Sequence, residues 1–279
     1  MNKGKLTIGL CVYDDFDGAY FTIQSLRVHH REILDRLEFV IINNSPNCNG
    51  GKALKTFTTE WIKQPCTYVE FTKYNSPFLK GKIFDVADTE YVLVMDCHVL
   101  LEPGVLKKLL DFYDSYKDEG NLLQGPLVYD DLENVSTHFD LSTWGSHMWG
   151  SWATDKRGVD RDAEPFEIPA QGMGLFSCRK KSWVGFNSNF RGFGGEEGYI
   201  HGKFKKFNKK TLCLPFLRWI HRFERPNGIP FTPVIEDRFR NYMIGFQEIG
   251  KDTKEVEDQF KGTISAEYIK KVKKELDIL

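Results

Sequence analysis

A chain of 279 residues, 41% hydrophobic and 28% charged, is long enough to bury a sizeable core. Its formal net charge of −1 gives no global pull toward nucleic acid or anionic lipid, and no run of about 18 apolar residues predicts a membrane span. The cysteines at 11, 48, 66, 97, 178 and 213 form no Cys-x-x-Cys pair, which argues against a zinc ribbon or a disulfide framework and reads as reduced thiols.

The chain opens with Met1-Asn2-Lys3-Gly4-Lys5, without the apolar segment or cleavage site of a secretory signal, so a cytoplasmic location is expected. Residues 6–13 read as a strand and 17–34 as a helix, with Tyr20, Ile23, Leu26 and Ile33 at helical spacing. A second strand, 37–42, ends in the turn cluster Asn43-Asn44-Ser45-Pro46-Asn47. Residues 51–62 predict a helix, 67–71 a third strand, and 76–87 a helix with Pro77 near its start. The Val- and Leu-rich run 91–96 is a buried strand, followed by a helix over 103–116. Strands alternating with helices in this way imply parallel βαβ units with right-handed crossovers. After residue 121 the pattern changes. A strand over 122–129 leads into a turn-rich segment, 130–165, which reads as a long loop carrying Trp144, Trp149 and Trp152. Then come a strand over 168–178 with a glycine-rich entry, the turn Phe193-Gly194-Gly195-Glu196-Glu197, a helix to about 208, and a strand over 211–221. From 234 onward the chain reads as helices and a charged tail.

The strand over 91–96 stops abruptly at Asp96-Cys97-His98. Side chains alternate along a strand, so Asp96 and His98 point to one side at its carboxyl end, where open α/β sheets bind ligands. A carboxylate oxygen and an imidazole nitrogen there can share a divalent cation, or Asp96 can cap a turn while His98 faces water. Gly172 and Gly174 permit either a strand-entry bend or close backbone approach to a ligand. Gly194-Gly195 set a tight turn that puts Glu196 and Glu197 at a helix start, a place the helix dipole favours for acids in any case. The tryptophans of 130–165 either anchor that segment to the core or present a stacking face. Lys203, Lys205, Lys206, Lys209 and Lys210 form a basic stretch, a solvated face or a contact for an anionic acceptor.

In order, Asp96-Cys97-His98, Phe193-Gly194-Gly195-Glu196-Glu197 and His221 resemble the motifs of glycosyltransferases of the GT-A fold. Asp-x-His is similar to the polypeptide N-acetylgalactosaminyltransferases, whose Trp-Gly-Gly-Glu segment resembles Phe193 to Glu196; the Gly-Gly-Glu-Asp of β-1,4-galactosyltransferases resembles Gly194 to Glu197. Tyr13-Asp14 and Asn43-Asn44-Ser45 resemble the strand-one ending and nucleoside turn of family 2 enzymes. The resemblance covers roughly residues 5 to 225. It implies an α/β fold, a Rossmann-like αβα sandwich around a mostly parallel sheet. Residues 1–233 would be the GT-A domain, its nucleotide-binding half reaching about 120 and its acceptor half 121–233; 234–279 would be a helical extension. It further implies a stand-alone phage or bacterial enzyme.

By that resemblance Asp96, His98 and His221 hold Mn²⁺ (or Mg²⁺), and a UDP-sugar is the donor, contacted by Tyr13, Asn44, Asp96, Gly172, Gly174 and Arg222, with Arg225 a second source of positive charge. Trp149, Trp152 and Glu196 meet the acceptor, a hydroxyl on a protein Ser/Thr or on a hydroxymethylated base of viral DNA. Glu196 and Glu197 are the catalytic pair, with Glu197 the base if the anomeric configuration inverts; Asp-x-His leans instead toward retention. A non-catalytic nucleotide-sugar-binding protein on this fold is one rival reading. A metal-dependent nucleotidyltransferase is another, disfavoured by the acidic turn Asp14-Asp15-Phe16-Asp17, where that class carries a basic, glycine-rich phosphate loop.

Overall fold

The computed structural model describes residues 5–74, 76–116, 120–224 and 228–277. Its first half is the expected alternation: β1 (Leu6–Val12), α1 (Phe16–His29), β2 (Leu37–Asn43), α2 (Asn49–Thr56), β3 (Cys66–Glu70), α3 (Lys80–Val86), β4 (Tyr91–Asp96), β5 (Val99–Leu101) and α4 (Val105–Ser115). The second half holds β6 (Leu122–Gln124), β7 (Leu127–Val128), β8 (Val135–Ser136), β9 (His138–Gly145), β10 (Met148–Ala153), β11 (Phe166–Glu167), β12 (Leu175–Arg179), α5 (Glu197–Lys206), β13 (Thr211–Cys213) and β14 (Trp219–His221). Three helices close the chain: α6 (Ile235–Ile249), α7 (Lys254–Phe260) and α8 (Ala266–Glu275).

The main sheet runs β11-β13-β6-β12-β4-β1-β2-β3, with β1 parallel to both β2 and β4, and β2 parallel to β3. β12 enters antiparallel between β4 and β6. Alternation along the strands serves both faces: Leu93 and Met95 join one core cluster with Leu6, Ile8 and Leu10, while Val92 and Val94 join a second with Val40 and Ile42. A sheet covered on both sides explains the unbroken apolar run that ends at Asp96.

Several elements are shorter than their periodicity predicts. The helix expected over 17–34 stops at His29. His30 turns inward, fully buried, its backbone N–H on the Leu26 carbonyl, and a 3₁₀ turn over Arg31–Arg36 carries Ile33 back to the core. The strands expected over 122–129 and 211–221 each split between two sheets. β6 and β13 pair in the main sheet, whereas β7 and β14 pair in a small one ordered β5-β14-β7-β8. Gly125 permits the switch, since a Cβ there would lie 1.7 Å from the Leu217 carbonyl oxygen. The segment 130–165 is not a loop. β9 and β10 form an antiparallel hairpin whose Trp149 packs with Phe239, Tyr242, Met243 and Phe246 of α6 in a third cluster. Ile244 of the same helix reaches the second cluster. Among the described residues no helix is long and apolar enough to cross a membrane.

Candidate active site

β4 lies in the middle of the sheet and delivers Asp96 to its carboxyl edge. The next strand, β5, pairs antiparallel with β14, with Val99 opposite His221, so two segments more than a hundred residues apart bring His98 and His221 together. His98 Nε2 lies 3.2 Å from His221 Nε2, and His221 Nε2 lies 3.4 Å from Asp96 Oδ2. Donor atoms about 2.1 Å from a small divalent ion and roughly at right angles sit about 3 Å apart. One carboxylate oxygen and two imidazole nitrogens at this spacing fit such an ion, and the mixed O/N set suits Mn²⁺ over Ca²⁺. The other oxygen of Asp96 is engaged by Lys80, whose Nζ lies 2.8 Å from Oδ1 and also donates to the Met173 carbonyl at 2.8 Å. Only Oδ2 therefore faces the histidines.

Lys80 and Asp15 are the residues that sequence reasoning missed here. Lys80 begins α3 with its side chain buried. Burial alone would pull its ammonium down, but the Asp96 carboxylate outweighs that and holds it above its ordinary value. Burial would likewise raise the Asp96 carboxyl; Lys80, the hydrogen bond from His221 and the charge of His98 together hold it well below the carboxylate range. Asp15, in the turn after β1, caps α1 by accepting the Gly18 N–H at 3.1 Å through Oδ1. Its Oδ2 lies 2.9 Å from His98 Nδ1, and Arg222 Nη2 donates to both oxygens at 2.7 and 2.9 Å. Burial opposes ionisation of Asp15, and His98 and Arg222 overcome it, again leaving the carboxyl far below its usual range. The acidic turn that argues against a phosphate loop is the one sequence signal that touches Asp15, and Lys80 carries none beyond its place in a predicted helix.

The Gly-Gly-Glu-Glu segment reaches the same region. Gly194 and Gly195 have φ of +99° and +97°, the left-handed side that a side chain resists. α6 clamps the turn: the Asn241 amide donates to the carbonyls of Arg191 at 2.7 Å and Gly194 at 2.9 Å, and accepts the Arg191 N–H at 3.0 Å. Glu196 then lies buried at the head of α5, with Oε2 unpartnered among the described residues. Burial, and next the charge of Glu197, push its carboxyl up to about 8, and burial raises Glu197 as well. Lys80 and Arg238 pull both down, so the glutamates share the field of the lysine that pairs with Asp96. His201, one turn into α5, is buried and pushed down to about 4 by desolvation. Its Nδ1 bonds the Glu197 carbonyl and its Nε2 accepts the Gln171 N–H at 3.2 Å, which ties the helix head to the strand entry.

The other predicted residues fall in varied places. Tyr13 is half-buried at the end of β1, edge-on to Phe231 at 6.4 Å. Asn44 donates both amide hydrogens, to the Phe71 and Tyr74 carbonyls at 2.7 and 2.8 Å, leaving its carbonyl side for any ligand. A Cβ on Gly172 would meet the Trp152 ring at 2.7 Å; one on Gly174 would meet Trp219 at 2.7 Å and Asp96 Oδ2 at 3.3 Å. These glycines thus make room for indoles as well as for the site. Trp152 is half-buried against Phe139 and lies 6.4 Å from Phe223. Trp149 is instead buried, its Nε1 donating to the Leu141 carbonyl at 2.9 Å and its ring against Phe246, so it presents no open face to an acceptor. The lysine stretch is largely engaged: Lys203 pairs with Glu248 at 2.8 Å, Lys209 bonds the Ser182 carbonyl at 3.0 Å, and Lys210 approaches Glu167 at 3.6 Å. Arg225 lies outside the described residues.

No protein-family profile matches this sequence, and no curated protein sequence matches it. Solved structures do. GalNAc-T7, determined with UDP, GalNAc and Mn²⁺, superposes at a TM-score of 0.71 over 98% of this chain with 14% identity. The mannosyltransferase PcManGT from Pyrobaculum calidifontis, with GDP-Man and Mn²⁺, gives 0.60 over 90% with 13% identity, and S. aureus TarS with UDP-GlcNAc gives 0.59 over 90% with 11% identity. This chain has the GT-A fold. It spans 55% of the GalNAc-T7 chain, 66% of PcManGT and 69% of TarS.

Proposed function

We propose that this protein is a metal-dependent glycosyltransferase that moves a hexose or N-acetylhexosamine from a UDP-sugar to a hydroxyl on a macromolecule. The observation that carries the reading is the convergence of Asp96, His98 and His221 at the carboxyl edge of the central strand of a GT-A sheet. A divalent metal, Mn²⁺ or Mg²⁺, held by these side chains would neutralise the negative charge that builds on the leaving diphosphate. Arg222, held by Asp15, adds fixed positive charge beside the same edge. Glu196 is buried and Glu197 half-buried beside it; burial raises both carboxyls, and the charge of Glu197 adds to the rise at Glu196. In an inverting reaction Glu197 takes the proton of the attacking hydroxyl, while protonated Glu196 donates a hydrogen bond to a sugar or acceptor oxygen. Trp152 offers the acceptor a ring beside Gly172. Between the two acceptor classes a protein Ser/Thr hydroxyl is favoured over a hydroxymethylated DNA base. The lysines of 203–210 that could have met a phosphate backbone are mostly tied into the fold.

The donor test is a calorimetric titration with Mn²⁺ present, comparing UDP, GDP and CDP, followed by a screen of nucleotide sugars for Mn²⁺-dependent hydrolysis. UDP should bind most tightly. Tighter binding of GDP overturns the donor, and hydrolysis unaffected by chelation overturns the metal. Labelled donor offered to a peptide library and to hydroxymethylated DNA decides the acceptor.

A further inference from the structure

His98 is in contact on both ring nitrogens, and the two sides have different chemistry. Nδ1 meets the Asp15 carboxylate at 2.9 Å, with Cys97 Sγ farther off at 3.5 Å, and Nε2 meets His221 at 3.2 Å. A carboxylate can only accept, so Nδ1 must carry a proton. In the neutral ring this leaves Nε2 as a lone pair aimed at the space between His221 and Asp96. Asp15 is well placed to enforce this. Its side chain is 9% exposed, its Oδ1 is pinned by the Gly18 N–H, and Arg222 braces both oxygens. A carboxylate buried among such partners holds one orientation, and a hydrogen bond that fixes the far side of a histidine ring sets the nitrogen left for a metal.

We propose that Asp15 is the positioning residue of this site: by accepting the Nδ1 proton of His98 it fixes the tautomer that presents Nε2 to a divalent cation, and by gripping Arg222 it sets a positive charge beside it. Asp15 touches neither donor nor acceptor in this account and acts through its two partners. The metal half of the inference rests on the proposed activity, whereas the tautomer half is a property of the metal-free protein.

The informative variant is Asp15→Asn. Its Oδ1 can keep the Gly18 cap and the Arg222 contact, so the fold is expected to persist. The amide nitrogen then faces Nδ1 of His98 and donates to it, which drives the ring proton to Nε2, the atom that must bind the metal. Long-range ¹H–¹⁵N spectra of the metal-free protein should show His98 with its proton on Nδ1 in wild type and on Nε2 in the variant. Titration with Mn²⁺ alone, followed by electron paramagnetic resonance, should show affinity weakened about 10- to 100-fold, the usual cost of losing such an outer partner. The same tautomer in both proteins, or unchanged Mn²⁺ affinity, overturns the proposal. If Asp15→Asn does not fold, wild-type spectra still decide: a proton on Nε2 of His98 refutes it. Should wild type bind no Mn²⁺ while the tautomer switches as stated, the glycosyltransferase reading falls and the positioning of His98 by Asp15 stands.

Discussion

Replacing Lys80 with Met removes a buried cation while keeping the length of the side chain. In the native protein its ammonium lies 2.8 Å from Asp96 Oδ1, with the two side chains 8% and 26% exposed. Removing one partner of a buried pair costs about 3–5 kcal/mol, because the other charge stays behind without compensation. Asp96 retains some contact with solvent, which places the loss near the lower end, about 3 kcal/mol. The Met173 carbonyl loses its donor as well. At roughly 2–4 °C per kcal/mol for a chain of this size, Tm should fall by about 6–12 °C. The pH dependence has a definite sign. Asp96 has a depressed pKa, so its pairing stabilises the protein above the ordinary carboxylate range and is lost as the pH falls through the native value. The gap between variant and wild type should therefore be full at pH 7, begin to narrow near about pH 4, and vanish only as the pH falls through the native value well below it. Mn²⁺ should bind Lys80→Met more tightly than wild type, since the lysine repels a second cation beside Asp96. Guanidinium unfolding of metal-free protein at several pH values, with a Mn²⁺ titration at pH 7, measures all of this. A loss under 1 kcal/mol at pH 7, or weaker Mn²⁺ binding in the variant, would overturn the role given to the Lys80–Asp96 pair.

Gly174→Ala puts a methyl 2.7 Å from the Trp219 ring and 3.3 Å from Asp96 Oδ2; overpacking of this kind should cost about 1–3 kcal/mol in denaturant unfolding. Glu196 is protonated in the native state over a range where the unfolded chain is ionised, so the native state binds more protons and wild-type stability should fall as pH rises from about 5 to 8, by at most about 1.4 kcal/mol per pH unit for one proton. Glu196→Gln should flatten that slope, and an unchanged slope would show that Glu196 ionises normally. Glu197→Gln should lower turnover ~10²-fold or more with donor affinity intact if the reaction inverts; near-normal turnover, or a product with the donor's anomeric configuration by NMR, removes it as base. Trp149→Ala should cost about 3–5 kcal/mol of stability. Trp152→Ala should chiefly raise the acceptor KM, and the opposite pattern would exchange the roles assigned to the two rings.

The parallel half of the sheet was legible because its strands are buried on both faces and its helices are regular. The candidate metal cluster was half legible. Asp96 and His98 share a strand end, but only the family motif order pointed to His221, which reaches them through the pairing of β5 with β14. Lys80 and Asp15 were not legible, because a lysine at a helix start and an aspartate at a cap look like ordinary surface residues until their partners, 16 and more than 80 positions away, are known. Periodicity also failed where one strand serves two sheets, as at Gly125, and where tryptophan-rich sequence forms a hairpin whose partner surface is supplied by α6.

The clamp of Asn241 on the Gly194 turn has a consequence for the order in which this protein becomes complete. The left-handed pair at 194–195 is held by a helix that begins forty residues later in the chain. While residues 5–221 emerge during synthesis, the central sheet can already form, because its strands lie within them. The Gly194 turn ahead of α5 lacks its Asn241 brace until residue 241 has left the ribosome and α6 has docked. A nascent chain would thus bring Asp96, His98 and His221 together early and gain the clamp on the turn ahead of the two glutamates only at the end. A chain ending before residue 241 would keep the sheet and the Asp96–His98–His221 cluster but lose the clamp on the turn ahead of Glu196.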